Sequence, residues 1–199
     1  MKSIRLLALC AVLATTGCAS SANAPAMFLL NRDRPAEPAS ADRSQGVLII
    51  APVRLSPYLD ESGIVYQTSA HRVAIANNNR WAAPLAGQLR EALEAELTSA
   101  LPRLQVQLQA DAAETSRPIL RLATRVDAFM GHYDGHAHIA GQWRIVDAQG
   151  NTVMRERFER REPLANDGYD ALVESLSNAW RTSARDLAPR IQAAAREAR

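Results

Sequence analysis

The sequence predicts an α/β fold: a two-layer domain in which one mixed, mostly antiparallel sheet carries two helices on one face. Leu85, Leu89, Leu93 and Leu97 recur every four residues and draw one apolar stripe along a helix. Between Ile119 and Arg161, three long segments alternate apolar and polar side chains and are separated by turn clusters, as hairpin-linked strands are. From Tyr169 to Ile191 the apolar residues return at helical spacing. With 199 residues, 47% hydrophobic and 22% charged, the chain suffices for one domain and not two.

Residues 1–17 are set apart from the fold as a signal segment. Lys2 and Arg5 make its positive start, and the apolar run Leu6 to Leu13 is far shorter than the roughly 20 residues that span a bilayer. Thr16-Gly17-Cys18 resembles the end of a bacterial lipoprotein signal, which implies cleavage after Gly17 and acylation at Cys18. Thr15 stands where such signals carry an aliphatic residue, a departure that would slow cleavage. Cys10 leaves with the segment, so the mature chain keeps one thiol and no disulfide framework. Several acyl chains together meet the need for more than one hydrocarbon tail in stable anchoring. Residues 18–26 read as a lipid-anchored tether, and Ala19 after the cysteine points to the periplasmic face of the outer membrane. Cleavage removes Lys2 and Arg5 and takes the formal charge to +2 − 2 = 0. Every remaining basic side chain is Arg, read as scattered and matched by Asp and Glu, so nothing marks a nucleic-acid partner.

A single domain is expected over 27–191. Met27 to Leu30 reads as a short edge strand, 31–45 as loop, and Gly46 to Leu55 as a buried strand that Pro52 ends or bulges. Ile64, Tyr66 and Thr68 alternate with Val65, Gln67 and Ser69; Val73 and Ile75 repeat the pattern until Asn77-Asn78-Asn79 breaks it. Pro84 suits a first helical position, and Arg90 and Glu94 are expected to pair across one turn on the wet side. Leu104, Val106 and Leu108 alternate with glutamines in a strand that would complete a strand–helix–strand crossover. Residues 110–117 read as loop. The clusters 131–135 and 147–151 are turns between the long strands, and Gly141 marks a bulge or a close approach. Asn166 or Asp167 is the expected N-cap of the last helix. Pro189 should kink or end that helix near Leu187, leaving 192–199 as a frayed tail.

The run YLDESGIVYQTSAHRVAIANNNRWAAPL resembles the core signature of the PqiC-like auxiliary lipoproteins of ABC-type transport systems. Its elements stand here as Leu59-Asp60, Gly63-Ile64-Val65-Tyr66 and Arg80-Trp81-Ala82-Ala83-Pro84-Leu85, and the later segment from Asp134 to Ile145 is similar to the family's D-G-x-x-x-L-x-G-x-W-x-L pattern. The resemblance implies a non-catalytic outer-membrane lipoprotein subunit of an MCE-type system that moves lipids or hydrophobic solutes across the periplasm. It implies as partners an MCE-domain protein and inner-membrane transport subunits, with a cytoplasmic ATPase in some systems. It implies no cofactor beyond the lipid on Cys18, and it leaves a homo-oligomer open.

The residues themselves carry little chemistry. No G-x-x-x-x-G-K-[ST] loop, G-x-S-x-G elbow or H-E-x-x-H is present, so nucleotide hydrolysis would belong to a partner. His132, His136 and His138 with Asp134 have the donor types for zinc, the basis of an alternative reading as a metal-dependent periplasmic enzyme. They read first as polar residues at an exposed hairpin tip. Tyr58, Tyr66, Arg80 and Trp81 are the candidate partner-binding residues, because amphipathic aromatics are enriched where interfaces bury area. The competing reading for the aromatics is that they pack the helix start onto the sheet. A further alternative is a lipoprotein that holds a lipid or peptide between sheet and helices.

Overall fold

The computed structural model describes residues 24–30, 46–109 and 118–197. Cys18 and the expected loops at 31–45 and 110–117 lie outside the described residues.

β7 (Ile119–Gly131) is the strand on which the rest is hung. Along one side it forms an antiparallel meander with β8 (His136–Val146), which in turn pairs with β9 (Thr152–Pro163). Its thirteen residues reach about 40 Å, enough to serve several short partners on the other side. There β2 (Val47–Ile50), β3 (Arg54–Leu55) and β4 (Gly63–Ser69) succeed one another along it, all parallel. β6 (Gln105–Gln107) extends the sheet beyond β2, and β5 (Arg72–Trp81) followed by β1 (Ala26–Phe28) extends it beyond β4. The long ladders are antiparallel and the parallel contacts are short, as the mostly antiparallel expectation has it.

Several local features depart from the sequence reading, each for a physical reason. Pro52 does break the 46–55 run, and the two pieces keep their place on β7 through Ala51 N–H donating to Leu122 O and Ser56 N–H to Val126 O, both 2.9 Å. The asparagines do not end β5. The strand runs on to Trp81, and a register shift between Gly63 and Val65 takes up the extra residues. The crossover is also different. β6 pairs with β2, and because β5 runs against the parallel group β4, β7, β2 and β6, the intervening helix joins strands of opposite sense.

Helix α1 (Leu85–Ala100) buries the whole predicted leucine stripe. Helix α2 (Tyr169–Glu197) starts directly after Gly168, whose φ of +111° lies in the region that only glycine enters freely, so neither Asn166 nor Asp167 adjoins the first turn. Pro189 does not end the helix. A proline forfeits one backbone hydrogen bond, but Leu187, Ile191, Ala194 and Ala195 on both sides of it are buried, and that packing carries the helix through. The expected frayed tail is thus helical to Glu197.

The two helices lie on one face of the sheet and close a core around Trp180. Trp180 contacts Trp143, Phe158 and Phe129, with ring centroids 5.3, 5.8 and 6.2 Å away. Tilted and edge-to-face contacts at these distances add about 0.5–1.5 kcal/mol each beyond area burial. Gly141 of β8 allows Phe158 to lie flat on Trp143, 4.4 Å between centroids. A Cβ on that glycine would fall 2.6 Å from the Phe158 ring and 2.2 Å from Arg125 O, and the accompanying bulge sits on the facing strand between Val126 and Ala128.

Candidate functional site

The four predicted partner-binding residues follow the chain from the turn before β4 to the end of β5. Tyr58 belongs to a single 3-10 turn, Pro57–Leu59. Its hydroxyl donates to Asp127 O at 2.6 Å, and burial followed by the Asp127 charge pushes the phenol up from its ordinary value. Tyr66 lies on β4 where that strand meets Gly131. It packs edge-to-face on Tyr169, 6.1 Å between centroids, and burial first, then Tyr66, raises the Tyr169 phenol. Arg80 is exposed, and its Nε–H donates to Asn77 O at 2.8 Å, which holds the guanidinium against its own strand.

Trp81 is a correction to the partner-facing expectation. Only 5% exposed, it contacts Phe129 at 6.1 Å and belongs to the core. Its backbone N–H donates to Ser62 O at 2.8 Å, fixing the end of β5 to the start of β4. Phe28 of β1 is its register partner. The four residues thus divide: Arg80 is free to meet a partner, Tyr58 and Tyr66 are half-buried, and Trp81 builds the support beneath.

Tyr66, Tyr169, Leu164, Leu172, His132 and His136 line a cleft of about 240 Å³ beside the β7–β8 turn. Two of the histidines turn toward Asp134. His132 Nδ1 is 2.7 Å and His136 Nδ1 3.1 Å from Asp134 Oδ1. Desolvation pushes that carboxyl up, but the hydrogen bonds and charge of the two histidines outweigh it and hold it below the ordinary carboxylate range. His138 turns away, its Nε2 3.2 Å from Glu159 Oε1, while its Nδ1 is buried without a partner. The three histidines therefore do not converge, and among the described residues no group of His, Cys, Asp or Glu could hold a metal ion.

Three polar positions escaped the sequence reading. Arg90 does not bond Glu94. It donates to Ile50 O from Nε and Nη2, at 3.0 and 2.7 Å, and also to Leu108 O, tying the end of β2 to the segment after β6. Glu96, with a side chain 5% exposed, receives Arg181 and Arg185 of α2, each at 2.9 Å. The Gln88 side chain accepts from Leu30 N–H at 2.9 Å and donates to Ala83 O at 2.8 Å. A signal existed for the last two: each stands three residues after a stripe leucine, on the buried face.

The arginines are not scattered. On the sheet face away from the helices, Arg54 lies beside Arg125 and Arg144 beside Arg155, with Arg121 and Arg157 nearby, all exposed.

The described residues thus form a two-layer domain whose open sheet face is rich in arginine. The chain belongs to the family of ABC-type transport auxiliary lipoprotein components, which it matches over residues 28–188. It is 36% identical over 155 residues to the intermembrane transport lipoprotein PqiC of Escherichia coli K12, covering 77% of this chain and 79% of that one. The PqiC of Shigella flexneri matches equally. A crystal structure of an uncharacterized protein superposes with a TM-score of 0.70 at 31% identity, over 84% of this chain and 99% of that chain. A Xanthomonas campestris protein shares the fold at 18% identity, with a TM-score of 0.65 over 87% of this chain and 96% of that one. The family is one of transport auxiliary lipoproteins and not of enzymes, and its description names no cofactor.

Proposed function

We propose that this transport auxiliary component is the outer-membrane lipoprotein subunit of an MCE-type system, docking and orienting the outer end of a conduit for lipids or hydrophobic solutes. The kinship with PqiC, over nearly the whole folded domain, carries the reading. An MCE-domain protein and inner-membrane subunits are the partners, and acylated Cys18 holds the chain at the periplasmic face of the outer membrane. The contact surface includes exposed Arg80 and the half-buried rings of Tyr58 and Tyr66, on a support made rigid by Trp81.

Crosslinking in intact cells followed by mass spectrometry tests the partnership. Recovery of an MCE-domain protein, weakened by Arg80→Glu at unchanged melting temperature, is the expected result. Recovery unaffected by Arg80→Glu removes the site and keeps the function. Failure to recover any envelope transport component removes both. The anchor is read separately, from the intact mass of the membrane-extracted protein: an unacylated terminus overturns it, and Cys18→Ser should release the protein without unfolding it.

A further inference from the structure

We infer that the helix-free face of β3, β7, β8 and β9 docks on the phosphate layer of an anionic membrane leaflet. Register puts the arginines there. Residues paired across a sheet point to the same side, so the Arg54–Arg125 and Arg144–Arg155 pairs, with Arg157 across from Gln142 and Arg121 across from Val146, share one surface. The opposite side of the same strands is the buried one, with Leu122, Val126, Trp143 and Ile145.

This charge has little internal compensation. Arg125 pairs with Asp127 at 2.8 Å, but Arg54, Arg121, Arg144, Arg155 and Arg157 have no ion pair with a described residue. Like charges directly opposite in a sheet are destabilising, so the free domain holds an unfavourable cluster that an external anion relieves. The chain as a whole carries a formal +2, so the cluster reflects placement and not general basicity.

The chemistry favours phosphate. Lys2 is the only lysine in the sequence, and the guanidinium fork matches phosphate oxygens in a bidentate fashion that an ammonium cannot. Neighbouring strands about 4.8 Å apart spread the cations over an open plane, suited to a layer of headgroups and not to one enclosed anion. A leaflet is also within reach. Residues 19–25 span at most about 25 Å between Cys18 and β1, so an anchored domain stays near the surface. That last argument rests on the lipoprotein reading above.

The test uses residues 19–199, without the acyl chains; every described element begins at or after residue 26 and so is retained. Co-sedimentation is measured with vesicles of phosphatidylcholine alone and of equal parts phosphatidylcholine and phosphatidylglycerol. Binding to the anionic vesicles only, and weakening with salt, is expected. The triple variant R121Q/R144Q/R157Q should lower the partition coefficient by about five-fold per arginine, at a melting temperature no lower than that of the native chain. Absence of binding to anionic vesicles at low salt overturns the inference, as does binding that the triple variant leaves intact. Self-association of the chain without vesicle binding, abolished by the same variant, assigns the face to a second copy instead; binding only to a purified acidic partner subunit assigns it to that protein. Because the acyl chains are absent, failure here leaves the Cys18 anchor to its own mass measurement.

Discussion

The indole N–H of Trp180 donates to the backbone carbonyl of Leu89 across 3.1 Å, so one side chain of α2 is hydrogen-bonded to α1 while its ring fills the sheet's core. Trp180→Phe keeps most of the apolar contact but leaves the Leu89 carbonyl without that donor. A loss of about 1–3 kcal/mol in unfolding free energy is expected, measured by urea denaturation. Trp180→Ala should cost about 3–5 kcal/mol. A Trp180→Phe variant as stable as the native chain would show that the hydrogen bond contributes nothing.

Glu96 makes a second link between the helices, and its stability effects should be asymmetric. Its carboxylate is almost wholly covered, whereas the Arg185 side chain is 51% exposed. Glu96→Gln leaves Arg181 and Arg185 side by side without their anion and should cost about 1–3 kcal/mol. Arg185→Ala frees only one arm of the pair and should cost less than about 1 kcal/mol. Denaturant midpoints of both variants check this, and a larger loss for Arg185→Ala would contradict it.

Two glycines should respond to alanine in opposite directions. At Gly141 the new Cβ would meet backbone at 2.2 Å, which cannot yield as a flexible side chain does, so a loss of about 3 kcal/mol is expected. At Gly87 nothing lies within 4 Å and the residue sits in α1, so Gly87→Ala should add about 0.4–1 kcal/mol. Thermal melts of the pair are the measurement.

His138 gives the fold an acid-sensitive point. Burial and then the Arg161 charge lower its pKa from 6.5, against the opposing pull of Glu159. A lowered histidine pKa means the unfolded chain binds the proton more readily. Stability is therefore full above the unfolded value of 6.5 and falls as pH drops below it toward the folded value. Geometry agrees, since a proton on Nδ1 would place a donor where no acceptor is present. Stability measured between about pH 7.5 and 5.5 should fall less steeply in His138→Gln than in the native chain. Asp134, its pKa lowered, adds a separate loss only further down, as pH falls through the carboxylate range.

Elements with a strong period were legible in the sequence: the leucine stripe, the three long strands and the last helix all follow from side-chain alternation or helical spacing. What failed was local punctuation read without its surroundings. Asn77 to Asn79 and Pro189 disfavour strand and helix as isolated residues, yet pairing with β4 on either side of the asparagines, with β1 at Asn79, and a buried stripe on α2 override them. The candidate site was legible only in part. Arg80 is as exposed as expected, but the fate of Trp81 depends on Phe129, which sequence does not place beside it. The arginine face was hidden for the same reason. Each strand alone shows an ordinary mix of charges, and only the register that sets Arg144 against Arg155 sums them.

The edge position of β1 determines how the domain would carry a load. Tension applied at the N-terminus enters through three residues, Ala26 to Phe28, paired along β5. Just beyond them the load meets two fastenings: the Phe28 carbonyl on Ala82 N–H at 2.8 Å, and the Leu30 N–H on the Gln88 side chain at 2.9 Å. Both lie at the start of α1, on the opposite side of β7 from β8 and β9. A pull applied there would peel a short strand and tug one helix end before it strained the long meander, so this edge of the domain would act as a mechanical fuse.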